Sequence, residues 1–579
     1  MTNSEIADAF EQIGDLLDFE GANPFRVRAY RNAARTIRDY AQSLPEIADD
    51  STEKLQEIEG IGKDLALKIA EMCHTGKLQQ LEDLKAKVPS GALDMLRVPG
   101  LGPKKAAVLF KELGIASLEA LRVACEAQKV RKLKGFGAKT EETILAGIEL
   151  AASANLRFYW ADADNVVTLL REHLKDVPGV ERIEFAGSYR RGRETIGDLD
   201  ILAIAPSSTE AMNRLEAFPQ RAQTIARGDT KMSIRLASGM QVDLRVVEAK
   251  SFGAALQYFT GSKEHNVVIR GMAKDRGLKI NEWGVFRIGP DQKETYVAGA
   301  SEEDVYATLD LPCFPPELRE NRLEFELQKR GKLPHLLETT DLLGDLHAHT
   351  NATDGSATIQ EMIAAARARG LKYLAITDHS QRVSMANGLD PKRALAQWKE
   401  IDKIRKTIDD DFVILKGIEC DILERGGMDL PDDVLAEADW VLASVHYGQR
   451  QDRKQITERI LGAVENPHVD CVAHPTGRLV NRRDAYEVDL EAVMKAVKKH
   501  GKCMELNANP ARLDLNDVHC AMAKAMGIPI VINTDAHSTS DLGLMRYGVL
   551  QGRRGGLTKV DVANCKPAKE FLKLIGAKL

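Results

Sequence analysis

Asp198 and Asp200 are separated by one apolar residue, Leu199, in the stretch GSYRRGRETIGDLDI from Gly187 to Ile201. Side chains two apart on a strand point to the same face. Two carboxylates held side by side repel each other unless a cation lies between them, so the pair reads as hard oxygen ligands for a divalent metal. A third carboxylate belongs on a neighbouring strand. Asp243 in MQVDLRVVE fits it, because Val242, Leu244 and Val246 make the apolar alternation of a half-buried strand and leave Asp243 and Arg245 on the polar side. Two cations held by this triad would activate a 3'-hydroxyl and stabilise a leaving pyrophosphate, with Ser188, the backbone at Gly187 and the Arg191 guanidinium placed to hold the outer phosphates. A surface strand of solvated acids would leave the upstream Gly-Ser without a purpose.

A second set of ligand types fills the C-terminal part. Seven apolar runs end in a possible ligand or close to one: GDLHAHT, YLAITDHS, VILKGIEC, WVLASVH, DCVAH, KCMELN and IPIVINTDAH. The collected side chains are His347, His349, Asp354, His379, Glu419, His446, His474, Asp535 and His537. A lone histidine at a strand end is usually packed or solvated, but six of the chain's 13 histidines fall at this one edge. Nine N and O ligands are too many for one ion and suit two or three.

The elements that must position these groups follow from the patterning around them. Strands alternating with helices over 341–579 argue for a parallel sheet, and ligands at successive strand ends argue for a closed α/β barrel. Further toward the N-terminus the periodicity is helical, with Ile6, Phe10, Ile13, Leu16 and Leu17 as one stripe. Three related units follow: IEGIGKDLALKIAE from Ile58, VPGLGPKKAAVLF from Val98 and LKGFGAKTEETIL from Leu133. Each is an apolar residue, Gly-x-Gly and an amphipathic helix, the pattern of a helix-hairpin-helix. Gly60, Gly62, Gly100, Gly102, Gly135 and Gly137 permit the tight loop, and free amides at the next helix start suit a phosphate. Lys63, Lys104, Lys105 and Lys139 stand where a backbone phosphate would sit. One such glycine pair is weak, since glycine also caps helices. Three with the same sequel predict sequence-independent DNA binding.

Composition bounds the rest. A chain of 579 residues is too long for one core, and its 44% hydrophobic and 29% charged residues are ordinary for a globular protein. The net charge of -6 hides an asymmetry: residues 60–140 carry 15 Lys or Arg against 8 acids, whereas residues 1–59 carry 6 against 13. The basic stretch coincides with the hairpin units. No apolar run has membrane-spanning length and no signal-peptide pattern opens the chain, which predicts a cytoplasmic protein. The eight cysteines include no CxxC pair, so reduced thiols are expected.

GSYRRGRETIGDLD, VDLR, YFTGSKEHN (Tyr258–Asn266) and INEWG (Ile280–Gly284) resemble the palm and nucleotide-selecting subdomain of family X DNA polymerases. The resemblance implies a DNA-directed DNA polymerase filling short gaps in base excision repair, with two Mg2+ or Mn2+ on the acid triad and deoxynucleoside triphosphates and gapped or nicked DNA as partners. It also implies Arg245 near the triad, the incoming nucleotide against Tyr258, Phe259, Gly261 and Asn266, Arg270 on the template side, and a monomer. In that family the first helical region can excise a 5'-deoxyribose phosphate through a Schiff-base lysine. Aligned on TGKL (Thr75–Leu78), Lys68 matches that lysine and Tyr30 the adjacent tyrosine, though Phe25 and Asp64 stand where active members carry basic residues.

DLHAHT, TDHS, Glu419, AHP and TDAHS resemble the polymerase and histidinol phosphatase (PHP) superfamily, a distorted (βα)7 barrel with a trinuclear centre of Mn2+ or Zn2+ that cleaves phosphoesters. The implied activity is a 3'-to-5' exonuclease or 3'-end processing, with abasic-site nicking as an extension. The alternative is a phosphatase acting on a small phosphomonoester or on pyrophosphate. The expected organisation is an N-terminal helical domain over 1–90 and a helix-hairpin-helix subdomain over 91–150. An α+β nucleotidyltransferase palm over 151–250, a nucleotide-selecting subdomain over 251–318, a linker with a charged helix over 319–340 and the barrel over 341–579 complete it.

Overall fold

The computed structural model describes residues 3–40, 44–58, 60–88, 95, 98, 101, 103–154, 157–289, 291, 293–331, 333–408 and 411–576. They form two compact units, Met1–Arg157 and Phe158–Leu579.

The described part of the first unit is helical. Ile6, Phe10, Ile13, Leu16 and Leu17 of the helix Asn3–Phe19 enter one apolar cluster that continues as far as Ile148, so the segments 1–90 and 91–150 share a core. The helix Pro24–Asp39 starts on Pro24, with Asn23 Oδ1 accepting from Phe25 N at 2.9 Å. The three glycine turns carry the same hydrogen bond: Ile61 N to Ile58 O, Leu101 N to Val98 O and Phe136 N to Leu133 O, at 3.0, 2.9 and 3.0 Å. In each, the residue between the glycines is buried and anchors the loop.

The second unit begins with a short antiparallel pair, β1 (Phe158–Tyr159) with β3 (Thr195–Ile196). A five-stranded sheet follows in the spatial order β2 (Arg182–Phe185), β4 (Asp198–Ile204), β7 (Gln241–Val247), β6 (Lys231–Leu236), β5 (Arg221–Arg227). Only β4 and β7 run parallel. Alternation sorts the faces: Leu199, Ile201, Val242 and Leu244 pack with the helices Trp160–Leu174 and Ser208–Glu216. Leu202 belongs to the other face, with the helix Phe252–Thr260, and Asp198 and Asp200 share its parity. A smaller sheet, β8 (Leu278–Asn281), β9 (Gly284–Ile288) and β10 (Glu294–Ala298), packs with the helices Phe252–Thr260, Lys263–Asp275 and Glu302–Ala307.

The expected helical connector is shorter than its charged pattern suggested, with a helix only over Glu324–Lys329. Glu324 turns inward, fully buried, and accepts from His265 Nδ1 at 2.9 Å and Asn321 N at 2.7 Å. That inward anchor holds the segment to the core instead of letting a solvated helix continue.

From Gly344 onward seven strands run parallel in sequence order: β11 (Gly344–Asp345), β12 (Tyr373–Ile376), β13 (Val413–Asp421), β14 (Trp440–Ser444), β15 (Cys471–Val472), β16 (Cys503–Asn507) and β17 (Ile530–Asn533). A parallel bridge between Ala348 and Ala536 links the first strand region to the last, so the sheet nearly closes. Both faces are apolar: Leu374 and Ile376 meet the outer helices, while Tyr373, Ala375 and Leu442 fill the interior. Phe571 stacks on Tyr373 at 5.3 Å between centroids and packs on Trp440, the first residues of their strands, closing the end opposite the expected ligands. Among the described residues no helix is long and apolar enough to cross a membrane.

Candidate active sites

In the five-stranded sheet, the parallel pairing sets Asp200 directly opposite Asp243, with Asp198 two residues earlier on β4. Asp200 closes against the turn that precedes it: Ala186 N donates to Asp200 O at 2.8 Å, and a Cβ at Gly187 would lie 2.7 Å from Asp200 Oδ2. Gly187 also has φ +64, so glycine is required there twice over. Burial, reinforced by the Asp198 and Asp243 carboxylates, pushes Asp200 up to about 7. Burial alone would raise Asp243 too, but hydrogen bonds from Ser233, Gln241 and Lys231 outweigh it and hold it low. Lys231 Nζ lies 3.0 Å from Asp243 Oδ2 and supplies positive charge at this acid. The chemistry of three oxygen donors on one sheet face fits divalent cations.

The expected nucleotide contacts converge in part. Ser188 lies in the short helix Gly187–Arg190. Arg191 reaches the next element: its Nη1 donates to Thr260 O at 2.5 Å, and a Cβ at Gly261 would meet that nitrogen at 3.2 Å. Its Nε donates to Glu320 Oε1 at 3.1 Å. Arg245 lies over the Phe259 ring at 4.3 Å, and Phe259 packs edge-on to Tyr258. Asn266 is turned inward, donating to Tyr258 O and accepting from Gln257 Nε2, both at 2.8 Å. Arg270 lies exposed on the helix Lys263–Asp275.

In the barrel, Glu419 lies near the end of β13, His347, His349, His379, His446, His474, Asp535 and His537 follow their strands by two to four residues, and Asp354 lies nine residues beyond β11. Three groups of ligand atoms converge: His349, Asp354, His379 and His537; His347, His349 and Asp535; and His379, Glu419 and His446. His349 and His379 each belong to two groups. Glu419 is central, with Oε1 at 2.9 Å from His474 Nε2 and 3.3 Å from His446 Nε2, and Oε2 at 2.8 Å from His379 Nδ1 and 3.4 Å from His347 Nε2. His349 Nδ1 and His474 Nδ1 are buried without a hydrogen-bond partner, and His347 Nε2, His379 Nδ1 and Glu419 Oε2 meet one another only in poorly aligned contacts. Each unmet buried group costs about 1–3 kcal/mol, and cations accepting these lone pairs would remove that cost. His474 and Asp535 have φ of 26 and 54, left-handed backbone at two of the expected ligand positions.

The electrostatics follow from crowding. Burial and the nearby His379 lower His349 to about 4. Burial would also lower His379, but Glu419 and Asp354 outweigh it and raise it to about 10.

Several orienting residues were absent from the expected set. Glu505 of β16, fully buried, accepts from His347 Nδ1 and from His474 N, each at 2.7 Å, and so aims His347 Nε2 into the cluster. Asp421 does the same for His446 Nδ1 at 3.0 Å. Asp378 accepts from Thr350 N at 2.8 Å, from Gln397 Nε2 at 2.5 Å and from Thr353 Oγ1, fixing the loop behind His349. Asp421 ends β13 and Glu505 lies midway along β16, and these strand positions were the available signal.

In the N-terminal unit, Gly60 and Gly135 have φ of +86 and +88, and the helix Lys63–Thr75 starts on Gly62 with no side chain capping its amides. Added Cβ atoms at Gly62 and Gly137 would meet open space, so both turns present bare backbone. Gly100 and Gly102 lie outside the described residues. Lys105 Nζ lies 5.8 Å above the Phe136 ring. Lys68 Nζ lies 5.8 Å above the Tyr30 ring and is paired with Asp64 at 2.5 Å.

Comparison with known proteins agrees along the chain. Residues 1–78 match a helix-hairpin-helix domain, 92–149 a SAM-like helix-hairpin-helix tandem, 160–253 the DNA polymerase beta palm, 255–320 the DNA polymerase beta thumb and 345–509 the PHP domain. The protein named DNA polymerase/3'-5' exonuclease PolX of Bacillus subtilis (strain 168) is 40% identical over 578 residues, 99% of this chain and all of that protein. A probable phosphatase of Thermoanaerobacter sp. (strain X514) is 30% identical over 245 residues, 40% of this chain and 95% of its own length.

Proposed function

The chain belongs to the family X DNA polymerases that carry a C-terminal PHP domain, and we propose that it fills short gaps in DNA and that its barrel removes 3'-terminal nucleotides or blocked 3' groups during repair. The observation that carries the polymerase half is the register of Asp200 with Asp243 beside the Gly187 turn. Asp198, Asp200 and Asp243 would hold two Mg2+ or Mn2+, and the nine barrel ligands two or three Mn2+ or Zn2+. Bound cations supply Lewis-acid activation of the attacking oxygen and neutralise charge on the leaving group.

The chain's own residues do the rest. The Gly187–Arg190 amides, Ser188 and Arg191 receive the triphosphate of a deoxynucleotide, while Tyr258, Phe259 and Asn266 border its sugar and base. The bare Gly-x-Gly turns grip backbone phosphates, which supplies affinity without sequence preference. In the barrel, Glu505 and Asp421 fix the tautomers of His347 and His446, so the ring nitrogens facing the cluster stay available as donors of electron pairs. The domain limits read from the sequence are retained in this proposal, with the interior of 319–340 anchored by Glu324. Lys68, paired with Asp64, stays the candidate Schiff-base lysine, with weak lyase activity or none expected because Phe25 and Asp64 stand where active members carry basic residues.

A one-nucleotide gap labelled at the primer 5' end, incubated with Mg2+ or Mn2+, tests both halves. Extension with deoxynucleotides and stepwise shortening without them is the expected result. The likeness of the barrel to a probable phosphatase supports a second reading. Phosphate release from pyrophosphate or a phosphomonoester, with no shortening of DNA, would establish it instead.

A further inference from the structure

The turn that forms the triphosphate cradle is gripped by a helix of the barrel. Arg554, the last residue of the helix Met545–Arg554, is buried, and its Nη1 donates to Arg191 O at 2.7 Å and to Glu320 Oε1 at 2.9 Å. Glu320 Oε1 is the atom that also accepts from Arg191 Nε. On its other edge, Arg554 Nη2 donates to Asp517 Oδ2 at 2.7 Å, inside the barrel domain. One turn earlier, Leu550 packs so closely on Gly192 that a Cβ there would lie 2.6 Å from Leu550 Cδ1. One further turn back, Tyr547 meets Trp160 edge-on, and Trp160 stacks flat on Tyr189 at 4.9 Å while donating from Nε1 to Tyr189 O. Residues 189, 191 and 192 of the cradle are thus fixed through three successive turns of a helix that belongs to the other enzyme.

We infer that Arg554 is a positioning residue of the nucleotide site: by sharing Glu320 with Arg191 and binding the Arg191 carbonyl, it sets the cradle for the triphosphate. The charge arithmetic gives the direction. Glu320 is one carboxylate facing Arg191, Arg554 and, at 3.9 Å, Arg193. With Arg554 in place, Glu320 is already compensated, so the Arg191 charge is available to an incoming phosphate. With Arg554 removed, the buried Glu320 relies more heavily on the Arg191 bond already present and holds that guanidinium more tightly, so less of its charge is available when the phosphates arrive. The effect falls on ground-state binding of the nucleotide, which raises KM and leaves kcat in place. The inference rests on the reading of 187–191 as the nucleotide cradle.

The test uses the full chain and measures single-nucleotide gap filling, 3'-end shortening and the thermal unfolding midpoint side by side. Arg554→Met is expected to raise KM for the deoxynucleotide about tenfold with kcat within about twofold, as lost uniform binding does. Shortening of DNA should stay within about twofold, and Arg554→Lys, which restores the charge but not the two-nitrogen fork, should recover part of the KM. If Arg554→Met does not fold, Leu550→Ala decides: it leaves the ion network intact and should raise KM about threefold by loosening the turn. A folded Arg554→Met with wild-type KM, a parallel fall in the kcat of incorporation and in DNA shortening, or an unchanged KM in Leu550→Ala where only that variant folds overturns the inference. A wild-type protein that incorporates no nucleotide would sink the polymerase reading itself, a separate outcome.

Discussion

Asp200 and Asp243 are partners across the one parallel strand pair of the five-stranded sheet, although two strands of the same sheet intervene between them in sequence. The two acids therefore depend on strand order as well as on alternation. Asp200→Ala should abolish nucleotide incorporation and leave DNA shortening intact, since it removes a donor from one site only. Retained primer extension by the variant would contradict the assignment.

Gly187→Ala tests the same corner without touching a carboxylate. The added Cβ meets Asp200 Oδ2 and the backbone must hold φ +64, a strain of about 1–3 kcal/mol. Gap filling should fall by about 5- to 150-fold, since about 1.4 kcal/mol is a factor of ten. Rates measured beside an unchanged DNA affinity would locate the loss at the cradle.

In the barrel, His349 belongs to two of the three converging groups. His349→Ala should abolish DNA shortening, retain polymerisation and lower the bound metal counted by elemental analysis. Glu505→Gln should cost about 10- to 100-fold in DNA shortening or metal affinity, the range for losing an orienting partner. A Glu505→Gln protein with wild-type metal content and activity would remove that residue from the site.

Glu302 links Arg190 to Arg319, with Oε1 and Oε2 at 2.9 and 2.6 Å from the Arg190 nitrogens and Oε1 at 2.5 Å from Arg319 Nη1. Burial opposes its ionisation, but Arg319 and Arg190 outweigh burial and hold it at about 2. A depressed carboxyl contributes stability above its unfolded value near about 4.3 and loses it as pH falls toward about 2, here on the order of 3 kcal/mol. Thermal midpoints of wild type and Glu302→Gln should differ widely at neutral pH and converge in acid. A gap independent of pH would assign the effect to packing.

For the hairpin units, Gly135→Val places a branched side chain on a residue with φ +88, in a turn that presents bare backbone. Binding to gapped DNA should weaken for all sequences alike. The slope of log affinity against log salt should shrink by about 0.9 for each DNA phosphate the variant no longer holds. Fluorescence anisotropy across a salt series measures both.

The placement of Asp198 and Asp200 on one strand face and of the histidines at strand ends was legible because each answers to a local period: two along a strand for the acids, a strand end of a βα unit for the histidines. The run KCMELN contains Glu505 and VILKGIEC stops one residue before Asp421, and nothing local separates a carboxylate that binds an ion from one that aims a histidine. Glu320 and Glu324 were not legible. Both fall in the stretch read only as a linker with a charged helix, and their partners are Arg191, Arg554 and His265, brought to them by tertiary packing. A buried charge is recognised by what surrounds it, and chain distance conceals that.

The bridge between Ala348 and Ala536 has a further consequence. Its hydrogen bonds, His349 N to Ala536 O at 2.8 Å and Ala536 N to His347 O at 3.3 Å, are interleaved with His347, His349, Asp535 and His537. The stave that completes the hoop is also the one that reacts, so whatever occupies the cluster acts as a rivet on the joint. Amide exchange at positions 349 and 536 would then serve as a built-in gauge of occupancy, slow when the rivet is in and quickening as a chelator draws it out, while the amides of β13 and β14 on the far side of the hoop keep their pace.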